Sequence, residues 1–149
     1  MTTIVCNKEE MACDLQMTLG IGTKVKTKTK IFYIPAHELH HPEDFLVGFA
    51  GTASDIIDVV DYYMNPELYK SIPRTKGLSG LILTKSKQIY MFDTPGKWLA
   101  VTSPYHAIGS GNHAALGAMS VGASPKDAVL AATKVDPFTG MGTKVLTFN

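Results

Sequence analysis

The order of the predicted strands and helices restricts the fold of this chain more than any other feature of its sequence. Segments rich in Thr, Val, Ile and aromatic residues fill about the first forty positions, and an apolar run, a helix, further strands, two helices and a final strand follow. This order does not alternate strand and helix as the βαβ units of a parallel sheet would. The sequence therefore predicts an α+β fold of packed layers, in a single domain over residues 1–149 with 45% hydrophobic residues.

The predicted elements begin and end at recognisable signals. TTIVC and MACDLQMT flank the turn-like NKEE as a hairpin, and the strand TKVKTKTKIFYI ends at Pro35. A helix is predicted over SDIIDVVDYYMNPELY, with Ser54 as N-cap, an end near Pro66, and one apolar face that comprises Ile56, Ile57, Val60, Tyr63 and Met64.

The second half of the chain carries similar signals. LSGLILTKSKQIYMFD predicts a hairpin around TKSK, and WLAVTS a further strand. GNHAALGAMSVG predicts a helix, and SPKDAVLAATKV predicts another that opens with a capping box formed by Ser124 and Asp127. TKVLTF predicts the last strand.

Charge and cysteine content restrict the partners and the compartment. The net charge of +1 indicates neither a nucleic-acid partner nor an anionic membrane surface. The lysines of TKVKTKTK favour the polar face of a strand, with a phosphate-binding patch as the less favoured alternative. MTTIVCNKEE lacks the features of a signal peptide, and the two cysteines, Cys6 and Cys13, suit a reduced cytoplasm better than a disulfide. We expect a cytoplasmic location.

The segment HELHH, residues 37–41, matches the H-E-x-x-H pattern of zinc proteases. That pattern needs a helix of two turns to bring both imidazoles to one face, whereas Pro35 precedes the motif and Pro42 follows it directly. His106, His113 and Glu43 are candidates for a third ligand, but none has a diagnostic spacing. We therefore predict a polar loop here and expect no metal or organic cofactor.

A different kind of chemistry begins at Thr2. Removal of Met1 would leave Thr2 with a hydroxyl nucleophile and, on the same residue, a free α-amine. Such an amine has a reference pKa of about 7.7–8.0, so it can accept the hydroxyl proton directly or through one water. A nearby lysine would lower the pKa of the amine and stabilise negative charge that develops on the oxygen.

Five segments occur in the order and near the spacing of proteasome-type N-terminal-nucleophile (Ntn) hydrolases, namely MTTIVC, ACDLQMTLG, KTKI, GFAGTASD and AIGSGNHAALGA. The chain most resembles the bacterial two-component peptidase whose ring is served by a separate ATPase unfoldase. It also resembles the small proteasome-like proteins of bacterial and phage genomes. The resemblance omits only residues of about 34–45 and 65–78. It implies a four-layer αββα sandwich and a homo-oligomeric ring, with an ATPase unfoldase as a further partner.

The resemblance also implies roles for individual residues. Thr2 matches the nucleophile, and Asp14 matches the aspartate that pairs with the active-site lysine, here Lys30. Gly51 matches the residue whose backbone N–H forms the oxyanion hole. Two further residues match positions near the amine of the nucleophile. Ser110 matches a serine that hydrogen-bonds that amine and a water, and Asp136, with Thr139, matches a second aspartate and a later serine.

Two departures from the family pattern are visible. The glycines that flank the first aspartate in the family are here Cys13 and Leu15, so the packing around Asp14 must differ. Between Asp55 and Leu78 there is room for one helix and a loop, whereas the family has two long helices, so one covering helix is predicted to be shortened or lost.

The sequence thus predicts a threonine-type peptidase that cleaves peptides or unfolded proteins. Two alternatives stay open. One is a non-catalytic proteasome-like scaffold or assembly protein, and the other is hydrolysis of a small-molecule amide, which this fold class also carries out.

Overall fold

The computed structural model describes residues 2–19 and 21–148 of the chain. Met1, Gly20 and Asn149 lie outside the described residues, and the predicted removal of Met1 lies outside them as well. The strands of the described residues are β1 (Thr3–Asn7), β2 (Glu10–Asp14), β3 (Gln16–Thr18), β4 (Lys24–Lys26), β5 (Ile31–Ile34), β6 (Phe45–Gly51), β7 (Leu78–Thr84), β8 (Ile89–Phe92), β9 (Leu99–Val101), β10 (Tyr105–Gly109) and β11 (Thr143–Thr147). The α-helices are α1 (Ala53–Met64), α2 (Asn112–Ser120) and α3 (Pro125–Thr133), and a 3₁₀ turn covers Pro66–Leu68.

The strands form antiparallel sheets. The first large sheet has the order β10-β1-β2-β11, and the second has the order β5-β6-β7-β8-β9. A short hairpin of β3 and β4 stands apart from both sheets. The chain is therefore a mixed α/β protein, and the predicted order of strands and helices is confirmed.

Each large sheet packs against apolar clusters on both of its faces. Neighbouring residues of one strand join different clusters, because alternate residues of a strand point to opposite faces. In β1, Ile4 joins an apolar cluster that both large sheets share, whereas its neighbour Val5 packs with residues of α2 and α3. In β6, Leu46 joins the shared cluster, and Val47 packs in a third cluster with residues of α1. This double burial explains why FLVGFAG, the sequence of β6, is apolar along its whole length.

The helix α1 differs from its prediction at its start and on its exposed face. It begins at Ala53 with Thr52 as N-cap in extended backbone, so Ser54 lies inside the helix and the predicted N-cap is wrong. The buried side of α1 carries Ile56, Val59 and Tyr63, a spacing of three to four residues that faces the second sheet. The predicted apolar face is therefore too wide, since Ile57 and Met64 are exposed.

The region after α1 contains only the short 3₁₀ turn and a loop before β7 begins at Leu78, which agrees with the prediction of one helix and a loop between Asp55 and Leu78. The capping box of α3 is also confirmed at its first member, because the backbone N–H of Asp127 donates to the side chain of Ser124 at 3.2 Å. No helix among the described residues is long and apolar enough to span a bilayer. Cys6 and Cys13 are both buried free thiols.

The lysine-rich segment is not one continuous strand. Lys24 and Lys26 belong to β4, and the chain leaves the strand conformation before β5 starts at Ile31. The side chains of Lys24, Lys26 and Lys28 are exposed, whereas that of Lys30 is buried. Because the strand is interrupted between Lys26 and Ile31, the side chain of Lys30 is buried and does not lie with the exposed lysines.

Candidate active site

Three predicted site residues meet at one end of the molecule, where Thr2 precedes β1, Asp14 ends β2 and Lys30 precedes β5. The hydroxyl of Thr2 donates a hydrogen bond to Oδ1 of Asp14 and accepts one from Nζ of Lys30. Nζ of Lys30 also lies 2.9 Å from Oδ1 of Asp14. Each of the three side chains therefore contacts the other two.

The charges of this cluster are screened from solvent, because 4% of the Lys30 side chain and none of the Asp14 side chain is exposed. The ammonium of Lys30 directs its third hydrogen bond to the carbonyl oxygen of Gln16. Burial lowers the pKa of Lys30, and the adjacent carboxylate of Asp14 opposes that shift by favouring the charged amine. A buried ammonium with all three N–H groups bonded is an arrangement that holds positive charge beside the Thr2 hydroxyl.

Ser110 and Asp136 lie on the other side of Thr2. The hydroxyl of Ser110 donates to Oδ2 of Asp136 at 2.6 Å and lies 3.4 Å from the carbonyl oxygen of Thr2. Gly109, the last residue of β10, has a φ of 95°, a backbone conformation that residues with a side chain rarely adopt. The chain turns at this glycine and continues into Ser110. Ser110 thus connects Asp136 to Thr2.

The carboxylate of Asp136 is held by several donors. Burial by itself would raise the pKa of Asp136, but hydrogen bonds from Ser110, Thr139 and the backbone N–H of Phe138 outweigh it and hold the pKa below its ordinary value. Thr139 donates to Oδ2 at 2.6 Å, and its own oxygen lies 2.8 Å from that of Thr3. The predicted grouping of Thr139 with Asp136 therefore agrees with the geometry.

A cavity of about 440 Å³ opens beside this cluster, and both Thr2 and Lys30 line it. Gly51 lines it too, at the end of β6 with a φ of 150°, where a Cβ atom would collide with the carbonyl of Gly77. The backbone N–H of Phe49 donates to the carbonyl of Lys30 at 3.1 Å. Since N–H groups alternate along a strand, the N–H of Gly51 is directed to the same side, away from β7.

Apolar side chains form most of the remaining cavity wall. Met17 and Leu19 line one side, and Phe49, Ala53 and Ile56 line the other. An apolar side chain of a ligand fits such a wall next to the Thr2 hydroxyl. Its burial there removes apolar surface from water, and few polar groups of the protein lose their contact with water.

Three residues that no sequence motif indicated connect the site to the 136–140 loop. Gln16 binds Lys30 through its carbonyl, and its side-chain amide donates to the carbonyl of Pro137 at 2.9 Å. The backbone N–H groups of Gly140 and Thr3 donate to the carboxylate of Asp14 at 3.0 and 3.1 Å. Two of these four contacts join residues more than 120 positions apart, so no local pattern in the sequence signals them.

The HELHH segment lies apart from this site and forms a turn between two residues of an isolated bridge, His37 and His41. The predicted loop is confirmed. Nε2 of His41 lies 2.9 Å from the carbonyl oxygen of Pro35, and Nε2 of His37 lies 3.4 Å from the carboxylate of Glu67. Within residues 2–19 and 21–148, no three His, Cys, Asp or Glu side chains are grouped as a metal site.

No protein-family model and no curated protein matches this chain. Solved structures do match. HslV from Trypanosoma brucei aligns over 97% of this chain and 98% of its own, with a TM-score of 0.70 and 21% identity. BPH from Thiobacillus denitrificans, solved in complex with epoxomicin, aligns over 99% of this chain and 98% of its own, with a TM-score of 0.68 and 18% identity.

Anbu from Pseudomonas aeruginosa, solved as a helical assembly, aligns over 99% of this chain and 81% of its own, with a TM-score of 0.73 and 11% identity. All these similarities run along nearly the whole chain at identities that carry information on the fold alone. The chain has the fold of the proteasome-like proteins HslV, BPH and Anbu, and the resemblance predicted from its sequence is confirmed at that level.

Proposed function

We propose that this protein is a proteasome β-subunit-like threonine peptidase that hydrolyses peptide bonds after removal of Met1. The observation that carries the proposal is the mutual contact of Thr2, Asp14 and Lys30, in which a buried ammonium donates to the hydroxyl that would attack. A threonine hydroxyl beside a buried lysine–carboxylate pair suits nucleophilic catalysis better than a purely structural role, because burying such a pair costs free energy.

In the proposed mechanism, Oγ1 of Thr2 attacks the substrate carbonyl carbon and passes its proton to the freed α-amine. The positive charge of Lys30 stabilises the oxygen as it loses that proton, and the N–H of Gly51 donates to the oxyanion of the tetrahedral intermediate. The amine then protonates the leaving nitrogen as the peptide bond breaks, which leaves an acyl-enzyme ester on Thr2. Water hydrolyses the ester, and Ser110, backed by Asp136, orients the amine and that water.

The proposed substrate is a peptide or an unfolded protein with an apolar side chain next to the cleaved bond. The apolar wall of the 440 Å³ cavity beside Thr2 supports this choice. The mechanism requires no metal and no organic cofactor.

The architecture we propose is a single domain built as a four-layer αββα Ntn-hydrolase sandwich with one covering helix shortened. The three apolar clusters support it, since one is shared by the two large sheets and the others lie under helices. We also propose a homo-oligomeric protein, because Anbu was solved as a helical assembly. The cytoplasmic location that the sequence predicts is part of the same proposal. A ring with an ATPase unfoldase as partner is the form that the sequence resemblance favours.

Intact mass spectrometry of the protein made in cells tests the proposal. We expect a mass that lacks Met1 and, after incubation with epoxomicin, a stoichiometric covalent adduct, because BPH binds the same compound. The Thr2→Ala variant should form no adduct, whereas the control Thr133→Ala, whose hydroxyl bonds only a carbonyl of its own helix, should react like the parent protein. A chain that retains Met1 and stays inert to epoxomicin would contradict the peptidase and favour the scaffold.

A further inference from the structure

The positive charges of this chain are concentrated in the two segments that border the cavity. Residues 15–30 contain four lysines and no acidic residue, and residues 69–80 contain two lysines and one arginine and again no acidic residue. The whole chain has a net charge of only +1, so acidic residues elsewhere balance this excess. The charged residues are therefore unevenly distributed along the chain, although the net charge is small.

Pairing and sequence position place some of these charges near the rim of the cavity. Met17 and Thr18 of β3 line the cavity, and β4 pairs with β3 so that Lys24 lies opposite Thr18. On the other side, Gly77 lines the cavity and directly follows the exposed Lys76. Neighbouring strands lie about 4.8 Å apart, so the backbone of the lysine-bearing strand is one strand away from the cavity wall.

Within the described part of the chain, none of the exposed cations at the rim forms an ion pair with a carboxylate. The ion pairs of that part are those of Lys30, His37 and Lys87, and no exposed cation of the two rim segments belongs to them. The helix α1 also borders the cavity and carries Asp55. Its Oδ2 accepts the backbone N–H groups of the two residues that follow Thr75, at 2.9 and 3.3 Å, and its carboxylate is also attracted by the charge of Lys76.

We propose that this cleft selects peptides with acidic residues beside the apolar residue that enters the cavity. The inference deepens the proposed peptidase function and rests on it for the cleavage step. Clustered charges of one sign around a low-dielectric cleft raise the local concentration of an oppositely charged ligand. The rim charges are solvent-exposed, so salt should screen their attraction over about 10 Å at 0.1 M ionic strength.

Binding to a variant that cannot cleave isolates this selection from catalysis. Thr2→Ala, or Thr2→Val if the first variant unfolds, is titrated with three fluorescent peptides in which a central Leu is flanked by two Asp, two Asn or two Lys on each side. At 50 mM NaCl we expect the Asp peptide to bind about tenfold more tightly than the Asn peptide, with the Lys peptide weakest. At 500 mM NaCl the difference should shrink below about threefold.

Charge variants locate the effect. In the same background, Lys24→Gln with Lys26→Gln should remove most of the preference for the Asp peptide. Lys126→Gln with Lys134→Gln is the matched control, because both lysines are exposed and lie at the ends of α3. This control should leave the preference unchanged.

Several results would overturn the inference. They are equal affinity for the three peptides at 50 mM NaCl, failure of the variant to bind any of them, and an equal effect of both pairs of substitutions. Tighter binding of a ten-nucleotide oligo(dT) than of the Asp peptide would also overturn it in favour of a nucleic-acid site. Failure of the epoxomicin reaction together with a salt-sensitive preference for Asp would contradict the peptidase and leave an acidic-peptide binding cleft.

Discussion

Nζ of Lys30 lies 2.9 Å from Oδ1 of Asp14 in a part of the protein from which solvent is almost excluded. The two residues come from different large sheets, since Asp14 ends β2 and Lys30 directly precedes β5. Their ion pair therefore links the two sheets at the end where Thr2 lies. In a buried ion pair, each charge stabilises the other. The loss of either partner therefore leaves an unpaired charge in a medium of low dielectric constant.

We predict that Asp14→Asn lowers the free energy of unfolding by about 3–5 kcal/mol at pH 7, because the ammonium of Lys30 loses its carboxylate. The double variant with Lys30→Met should recover most of that loss, since no buried charge remains. Urea denaturation of the two variants and the parent protein measures both values. A loss below about 1 kcal/mol in Asp14→Asn would contradict the account of the pair.

The pH dependence of that loss follows from the pKa of Lys30, which burial lowers below its ordinary value of 10.5. Between the lowered pKa and 10.5, the unfolded state binds more protons than the folded state, so the free energy of unfolding rises with pH. Asp14→Asn removes the charge that opposes the lowering of the pKa of Lys30. The pH range in which the free energy of unfolding rises therefore begins at a lower pH in the variant than in the parent protein. We predict that the difference from the parent protein shrinks as the pH rises from 7 toward 10.5, as measured by urea denaturation at each pH. A constant difference would contradict the prediction.

We predict that Thr3→Val lowers kcat of the proposed peptidase about tenfold and leaves KM within about twofold. Thr139 uses its only hydroxyl proton on Asp136, so the 2.8 Å contact with Thr3 must be donated by Thr3. The backbone N–H of Thr3 also donates to Asp14 at 3.1 Å, so this residue connects both carboxylates of the site. Loss of the hydroxyl should misplace Thr2 slightly, and small misplacements cost rate more than affinity.

Initial rates with a fluorogenic peptide give kcat and KM for the Thr3 variants. Thr3→Ser keeps the donor and should restore kcat, which a general packing defect would not allow. Thr133→Val removes a hydroxyl that bonds only a helix carbonyl, at 2.6 Å, and should not change kcat. A rise in KM at constant kcat would contradict the positioning role.

The predictable part of this structure is the part that local patterns determine. The capping box at Ser124 and the helix end near Pro66 depend on neighbours in sequence, and the structure agrees with both. The predicted N-cap of α1 is wrong by two positions, because Thr52 and Ser54 are both acceptable caps and the end of β6 decides between them.

Local sequence patterns predict less of the candidate site than of the fold. Periodicity alone assigns Lys30 to the solvated row of Lys24, Lys26 and Lys28, and only the resemblance indicated that it is buried. The contacts of Gln16 with Lys30 and with the 136–140 loop run through backbone carbonyls. Backbone groups occur in every residue, so no residue type in the sequence could reveal such contacts.

We predict that Cys6 and Cys13 do not react with a disulfide reagent such as DTNB at about pH 8 in the folded protein. Burial raises the pKa of Cys6 to about 12 and that of Cys13 to about 11, so the thiolate that would attack is scarce as well as inaccessible. Both thiols should react at once in concentrated guanidinium chloride. Ser120→Cys places a third thiol on an exposed helix end as the control and should react within the mixing time. Labelling of the parent protein at the rate of that control would contradict the prediction.

We predict that Gly51→Ala destabilises the fold by about 1–3 kcal/mol and prevents the epoxomicin reaction, whereas the control Gly117→Ala does neither. At Gly51 the φ of 150° is unfavourable for alanine, and the new Cβ atom would meet the carbonyl of Gly77 and lie 2.9 Å from Cα of Leu78. Relief of that collision must separate β6 from β7 at the mouth of the cavity, and this movement would carry the proposed oxyanion donor away from Thr2.

The control and the measurement separate this effect from a general sensitivity to alanine. Gly117 is exposed on α2, and a methyl group added there would meet no atom within 4 Å, so alanine should stabilise the helix by up to about 1 kcal/mol. Thermal unfolding and intact mass after epoxomicin measure both effects in both variants. If Gly51→Ala forms the adduct at the parent rate, the oxyanion of the intermediate must be held by a donor other than the N–H of Gly51, because the collision with Gly77 leaves that N–H no way to keep its position.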